Sequence, residues 1–349
     1  MKKLLLVLVL AAIVISIVLL EKQKVTPADS AGEASSVAVE AAEEKAKEYL
    51  PAVELVNPSG FVNSEPFQIG DYIGDKVILV DFWTYSCINC QRTTPYLNAW
   101  HTAYEDDGLL IVGVHTPEFD FEKEISNVRA AVEKFGIEYP VVQDNDYSTW
   151  TAYKNRYWPR KYLIDIDGYI VYDHIGEGGY EETEAKIQEL LTERAQRLNQ
   201  ETGIYTGVLV EGMPIPEANS PETYFGSQRN DLLINGVSGQ NGLQNFAAPG
   251  ELVKNKLYLE GEWLFEDEYA QSQGPGKIHY RYDAKNVYMV ASADEAVTVT
   301  IKVDGILVKT LTIQAEELYE LVSHESAGEH LLEIDVQAAG LKIYTFTFG

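Results

Sequence analysis

Sulfur and positive charge are what this sequence has least of. Its 349 residues hold two cysteines and three methionines, and 27 lysines and arginines stand against 54 aspartates and glutamates, a formal net charge of −27. So acidic a chain excludes nucleic acid and anionic lipid as partners, because polyanions are bound by Lys and Arg that displace their counterions. Two cysteines cannot build a disulfide framework, and a structural zinc site takes about four ligands, usually as two pairs. The histidines His101, His115, His174, His279, His324 and His330 are scattered and supply no second pair. No cysteine precedes Cys87, which rules out a lipidated N-terminal cysteine. Long apolar runs are scarce too: Leu4 to Leu20, broken only by Ser16, is the one of bilayer scale.

That run follows Lys2 and Lys3 and is 17 residues long. The apolar part of a cleavable signal is roughly 7–15 residues and a spanning helix roughly 17–25. Residues 1–22 are therefore expected to be a signal anchor, a single-pass transmembrane helix in the cell membrane. A cleaved signal with a secreted or periplasmic product is the alternative. Lysines at the extreme N-terminus place that end in the cytoplasm and the bulk outside, where disulfides persist. Residues 23–52, rich in Ala, Glu, Lys and Ser, read as a tether.

Between residues 53 and 200 apolar runs alternate with helical stretches. Val77 to Trp83, Leu109 to His115, Lys161 to Asp167 and Tyr169 to Ile175 read as strands; Cys87 to Tyr104, Phe121 to Phe135 and Tyr180 to Leu198 read as helices. The alternation predicts an α/β domain with a mixed central sheet flanked by helices, and Asp167-Gly168 a hairpin turn. Residues 201–250, enriched in Gly, Pro, Asn and Ser, read as a connecting segment. Residues 251–349 fall into short alternating runs between Gly, Asp and Asn turns, the pattern of an all-β sandwich.

The two cysteines stand three positions apart in VILVDFWTYSCINC, directly after an apolar run. A helix beginning at Cys87 would leave backbone N–H groups and its positive dipole end facing that thiol, favouring the thiolate. Cys90, one turn later and more buried, would be placed to attack a mixed disulfide on Cys87. So short a loop makes a purely stabilising disulfide a poor reading. Asp81 interrupts a strand expected to be buried, where an ionised carboxylate is costly. Its pKa should rise, fitting it to accept a proton from Cys90 by way of water; a solvated strand position is the alternative.

Asp81-Phe82-Trp83, Cys87-Ile88-Asn89-Cys90 and Pro95 together resemble the active-site strand, Cys-X-X-Cys and helix-kinking proline of the thioredoxin family. The sequence departs from the common pattern at Ser86, where many members carry Trp, and at Ile88-Asn89 in place of Gly-Pro. The resemblance makes Cys87 the nucleophile, Cys90 the resolving thiol and Asp81 the buried acid. It also sets Trp158-Pro159 at the family's cis-proline position, where the Trp158 backbone would pair with a substrate peptide. Trp83 and Ser86 join Trp158 and Pro159 as expected substrate contacts. No cofactor is implied beyond the redox-active Cys87–Cys90 disulfide.

FWTYSCINC and the tail segments SPETYFG, GEWLFEDEYA and YTFTFG are similar to TlpA/DipZ-type proteins, whose thioredoxin domain continues into a jelly-roll-like sandwich resembling carbohydrate-binding modules. This implies an extracytoplasmic, membrane-tethered thiol–disulfide oxidoreductase, working as a reductase on protein thiol or disulfide substrates, as in cytochrome c biogenesis. A membrane electron donor of the CcdA/DsbD type would act in trans. Two other chemistries of a lone thiol are weaker. Thr84 suits a peroxidase, but Val80 stands where its proline is expected, and a Cys–His hydrolase would need His115 at the thiol. From a different class comes a glycan- or partner-binding protein in which Trp263, Tyr258, Tyr280 and Tyr282 stack on sugar rings. Such rings are more often core positions, and Tyr280 and Tyr282 share one strand face, which fits either reading.

Overall fold

A computed structural model describes residues 44–201, 203–212 and 214–349. The expected anchor and most of the expected tether lie outside them. No helix among the described residues is long and apolar enough to cross a membrane.

The first sheet has seven strands: β1 (Leu50–Pro51), β2 (Gly60–Val62), β3 (Val77–Trp83), β4 (Leu109–His115), β5 (Val141–Gln143), β6 (Arg160–Ile164) and β7 (Tyr169–Ile175). Their order is β1-β7-β6-β3-β4-β5-β2, with β3 parallel to β4 and antiparallel to β6, so the sheet is mixed. All seven residues of β3 are buried, which is why its run is apolar without alternation: a strand covered on both faces has no side for polar residues. Val77 and Leu79 point to one layer, with α1 (Ile88–Tyr104), α2 (Ile125–Lys134) and α4 (Tyr180–Arg197). Ile78, Val80 and Phe82 point to the other, where Phe82 packs edge-on against Tyr153 and Trp150, the latter from α3 (Ser148–Ala152).

The second domain is all β. Its strands are β8 (Thr223–Tyr224), β9 (Gly242–Phe246), β10 (Leu257–Phe265), β11 (Ala270–Ser272), β12 (Gly276–Ser292), β13 (Val297–Val303), β14 (Ile306–Ile313), β15 (Glu317–Val336) and β16 (Lys342–Phe348). β12 pairs with β10 through its first residues, with β16 through its last, and with β15 along most of its length. One long strand therefore serves both layers, and the sheet closes on itself as a barrel-like sandwich. Trp263 is 0% exposed inside it, its indole N–H donating to the Glu260 carbonyl at 3.0 Å. Replacing Trp263 with alanine is expected to cost about 3–5 kcal/mol of stability, read as a lower midpoint in chemical denaturation.

Three expectations need correction. Trp263, Tyr280 and Tyr282 are 0% exposed and Tyr258 is 6% exposed, so none offers a ring face to a sugar; inward-pointing strand positions put the first three in the core, while Tyr258 lies on the other face of β10 beneath the preceding segment, its Oη accepting from the Val253 amide at 3.1 Å. The tether is shorter than residues 23–52, since β1 pairs with β7 and Lys45 lies 2.6 Å from both Asp165 and Glu193. The connecting segment is shorter than residues 201–250, since β8 pairs with β16 and β9 with β10. Short edge strands have too few residues to show a period, so composition alone hid them.

The two domains share a packed seam. The Tyr344 ring of β16 lies 5.0 Å from Phe119 and 4.8 Å from Phe121, and Val290 of β12 joins the same apolar cluster as Cys90.

Candidate active site

The chain leaves β3 at Trp83, turns through Thr84–Ser86 and enters α1 with Cys87 as its N-cap, in extended backbone. The Cys87 amide donates to the Thr84 carbonyl at 3.4 Å and the Gln91 amide to the Cys87 carbonyl at 3.0 Å. Cys87 is partly exposed and Cys90 is buried. The thiol thus sits where the first amides of a helix lack intrahelical partners. Pro95 lies inside α1 without breaking it.

Beneath the pair is Asp81, 2% exposed, with Oδ1 lacking any hydrogen-bond partner among the described residues. Burial pushes its pKa up to about 7, against the opposing charge of Lys161. Lys161 is 0% exposed and stands directly across from Asp81 on β6. Burial lowers its pKa, while Asp81 and Cys90 hold its charge in place; Nζ donates to the Gly176 carbonyl at 3.3 Å. Burial, Cys87 and Asp81 all raise the Cys90 thiol well above its ordinary range. A buried thiol that resists ionisation thus lies beside a carboxyl able to take its proton near neutral pH. Lys161 escaped sequence reasoning because at the start of KYLIDID it reads as a polar strand end. The antiparallel register with a buried aspartate is the signal that exposes it.

A second buried carboxylate, Glu122, organises the turn before Cys87. It accepts from Ser86 Oγ at 2.7 Å and the Ser86 amide at 3.2 Å, and from the amides of Glu118 at 2.6 Å and Phe119 at 3.1 Å. Glu122→Ala strands these donors in a buried site, each lost partner leaving about 1–3 kcal/mol uncompensated. The expected result is a drop in thermal stability, with slower alkylation of Cys87 as its turn loosens.

The Trp158–Pro159 peptide bond is cis. Trp158 borders the same space as Ser86 and Cys87, its indole tied to the Thr116 carbonyl at 3.0 Å and its own backbone N–H and C=O making no hydrogen bond among the described residues. Trp83 is elsewhere. It is 3% exposed, edge-on to His115 at 5.1 Å, and borders no part of that space, because the last residue of β3 points inward toward α1. The expected substrate contact at Trp83 is therefore corrected to a core position. His115 is fully buried, its pKa pushed down to about 3 by burial, and stacked on Tyr85, so it is a neutral ring that borders no part of the space above Cys87. Thr84 is likewise 0% exposed, 3.5 Å from His115 Nε2.

The space above Cys87 is a cleft of about 400 Å³ between the domains, with Ser86, Cys87 and Trp158 on one side and Glu222, Tyr224 and Arg229 on the other. Sequence reasoning placed nothing from the second domain here.

Residues 47–173 match the AhpC/TSA family and residues 220–349 the thioredoxin like C-terminal domain. Protein DipZ of Mycobacterium tuberculosis is 36% identical over 305 residues, 85% of this chain and 43% of DipZ. The chain thus spans less than half the length of that relative. Thiol-disulfide oxidoreductase YkuV of Bacillus subtilis is 27% identical over 143 residues, covering 41% of this chain and 95% of YkuV. Among solved structures, a thioredoxin-like protein in the oxidized form is 27% identical, covers 42% of this chain and 97% of its own, and has a TM-score of 0.39.

Proposed function

The chain belongs to the thioredoxin-like proteins, an AhpC/TSA-family domain followed by the thioredoxin like C-terminal domain, and on that premise we propose that it is a thiol–disulfide oxidoreductase. The observation that carries this reading is the graded pair: a partly exposed Cys87 capping a helix, and a buried Cys90 one turn behind it, over a carboxyl of pKa about 7. The Cys87 thiolate attacks one sulfur of a substrate disulfide. That S–S bond breaks, the departing sulfur takes a proton, and a mixed disulfide with Cys87 forms. Cys90, losing its proton toward Asp81, attacks Cys87 Sγ and releases the second substrate thiol. Two electrons pass to the substrate and the Cys87–Cys90 disulfide is left, to be reduced again by an external dithiol.

The direction we propose is reduction, on protein disulfides outside the cytoplasmic membrane, with the chain tethered by its N-terminal apolar segment. The likeness to DipZ supports this placement. A membrane dithiol donor of the CcdA/DsbD type and substrates in cytochrome c biogenesis belong to the same proposal. Its test is reduction of insulin disulfides by the full chain, with a glutathione redox titration of the cysteine pair. Failure to exchange with any protein disulfide in either direction would overturn the reading.

A further inference from the structure

The second domain roofs the cleft over Cys87, and any role for that roof in substrate choice rests on Cys87 being the exchanging thiol. The space is about 400 Å³. That is the scale of small-ligand sites, about 300–1,000 Å³. A folded partner of ordinary interface size covers about 800 Å² on each side. A few extended residues fill such a volume beside Cys87, whereas a folded face would first meet the rim that Glu222, Tyr224 and Arg229 raise across from the thiol. Trp158, whose backbone N–H and C=O are unpaired among the described residues, borders the space beside the thiol and offers such a segment main-chain hydrogen bonds.

Beside the packed seam, the rim of the roof nearest Cys87 is closed by shared protons. Tyr224 Oη lies 2.9 Å from Glu118 Oε1 and 2.8 Å from Glu222 Oε2. A phenol has one proton to donate. Two carboxyl groups at hydrogen-bond distance from one phenol oxygen therefore need a second proton, which one of them must carry. Arg229 Nη1 is 2.8 Å from Glu118 Oε1, and its guanidinium lies 3.7 Å above the Tyr224 ring. Arg229 forms its ion pair with Glu118, so the second proton is assigned to Glu222, which then donates to Tyr224 while Tyr224 donates to Glu118. Thr347 Oγ1 donates to the other Glu222 oxygen at 3.1 Å. Glu222 is exposed at its surface, yet the protein packed around it and the Glu118 charge raise its pKa to about 7, opposed by Thr347, by Arg229 and by the reverse arrangement in which Tyr224 donates to a Glu222 carboxylate. Glu118 belongs to the first domain, and its amide donates to Glu122, which grips Ser86 next to Cys87. One hydrogen-bonded chain thus runs from the roof to the loop carrying the thiol.

We propose that the second domain is a lid on the dithiol site, latched where Tyr224 joins Glu222 to the Glu118–Arg229 pair, and that the latched cleft selects an extended cysteine-bearing polypeptide segment over a disulfide on a folded protein surface. Ionisation of Glu222 sets two carboxylates around one phenol and loosens the latch.

The test uses the full chain, reduced, and two probes bearing the same leaving group. One is a short unstructured peptide whose cysteine carries thionitrobenzoate; the other is a folded protein with that group on a surface cysteine. The latch predicts discharge of the peptide about tenfold faster or more, a gap of roughly 1.4 kcal/mol between the two barriers. The ratio should fall as pH rises through about 7, where Glu222 gives up its proton. Taking the ratio cancels the pH dependence of the attacking thiol. Tyr224→Phe should bring the ratio toward one, while Glu222→Gln, whose amide still donates to Tyr224, should keep it high and flat across pH. A ratio near one in the unaltered chain, or one that Tyr224→Phe leaves unchanged, overturns the lid. Absence of discharge from both probes overturns the oxidoreductase reading itself.

Discussion

Cys87→Ser is expected to reduce disulfide exchange to the uncatalysed rate, a loss on the order of a thousandfold or more, as when any enzyme loses its covalent nucleophile. Cys90→Ser is expected to behave differently. The partly exposed Cys87 still attacks, but no second thiol lies behind it to release the product, so substrate stays attached through a mixed disulfide. Non-reducing electrophoresis checks both outcomes in one gel: adducts with Cys90→Ser that vanish on reduction, and none with Cys87→Ser. Equal behaviour of the two variants would contradict the division of labour between cap and helix interior.

The second large effect is on stability and turns on Asp81. Burial lifts its pKa from 3.8 to about 7. At acid pH below the lower value, folded and unfolded chains both hold the proton and the residue costs nothing. As pH rises from 3.8 to about 7 the unfolded chain ionises while the folded chain keeps its proton, so stability falls, and above about 7 the loss is complete. At 1.36 kcal/mol per unit the total is on the order of 4 kcal/mol. Asp81→Asn should erase that decline, leaving the variant more stable than the parent in mildly alkaline solution and little different in acid. Chemical denaturation across pH measures it. The same substitution should slow turnover by about a hundredfold and let the mixed disulfide accumulate, because Cys90 loses its proton acceptor. A variant that is stabilised yet turns over normally would assign Asp81 to the fold and remove it from the reaction.

Much of the first domain was legible because its elements carry long periods. β3, β4 and β7 fall where their apolar runs predict, and α1 and α4 begin and end within a residue of expectation. The pair Cys87 and Cys90 was legible for a different reason: with no other sulfhydryl in the chain, their spacing has no bland explanation. Lys161 and Glu122 were not legible. Each is an ordinary charged residue in sequence, and each becomes unusual only because a neighbouring strand or turn takes away its water. Trp83 and the aromatics of the sandwich misled for the converse reason, since a large ring suits a binding surface and a core equally until a strand's facing is known.

The sequence alone determined the chemistry available to this protein: one dithiol at a helix start, an acid in a covered strand, and an α/β domain ahead of an all-β one. These depend on local order along the chain, on spacing, periodicity and composition. Only the tertiary structure decided what surrounds that chemistry. The 2.9 Å contact of Tyr224 with Glu118 joins residues 106 positions apart, and the roof over Cys87 is drawn from a domain equally remote in the chain. Burial and proton sharing are properties of such distant neighbours, and the pKa of a carboxyl is set by what packs against it, which no stretch of adjacent residues can specify.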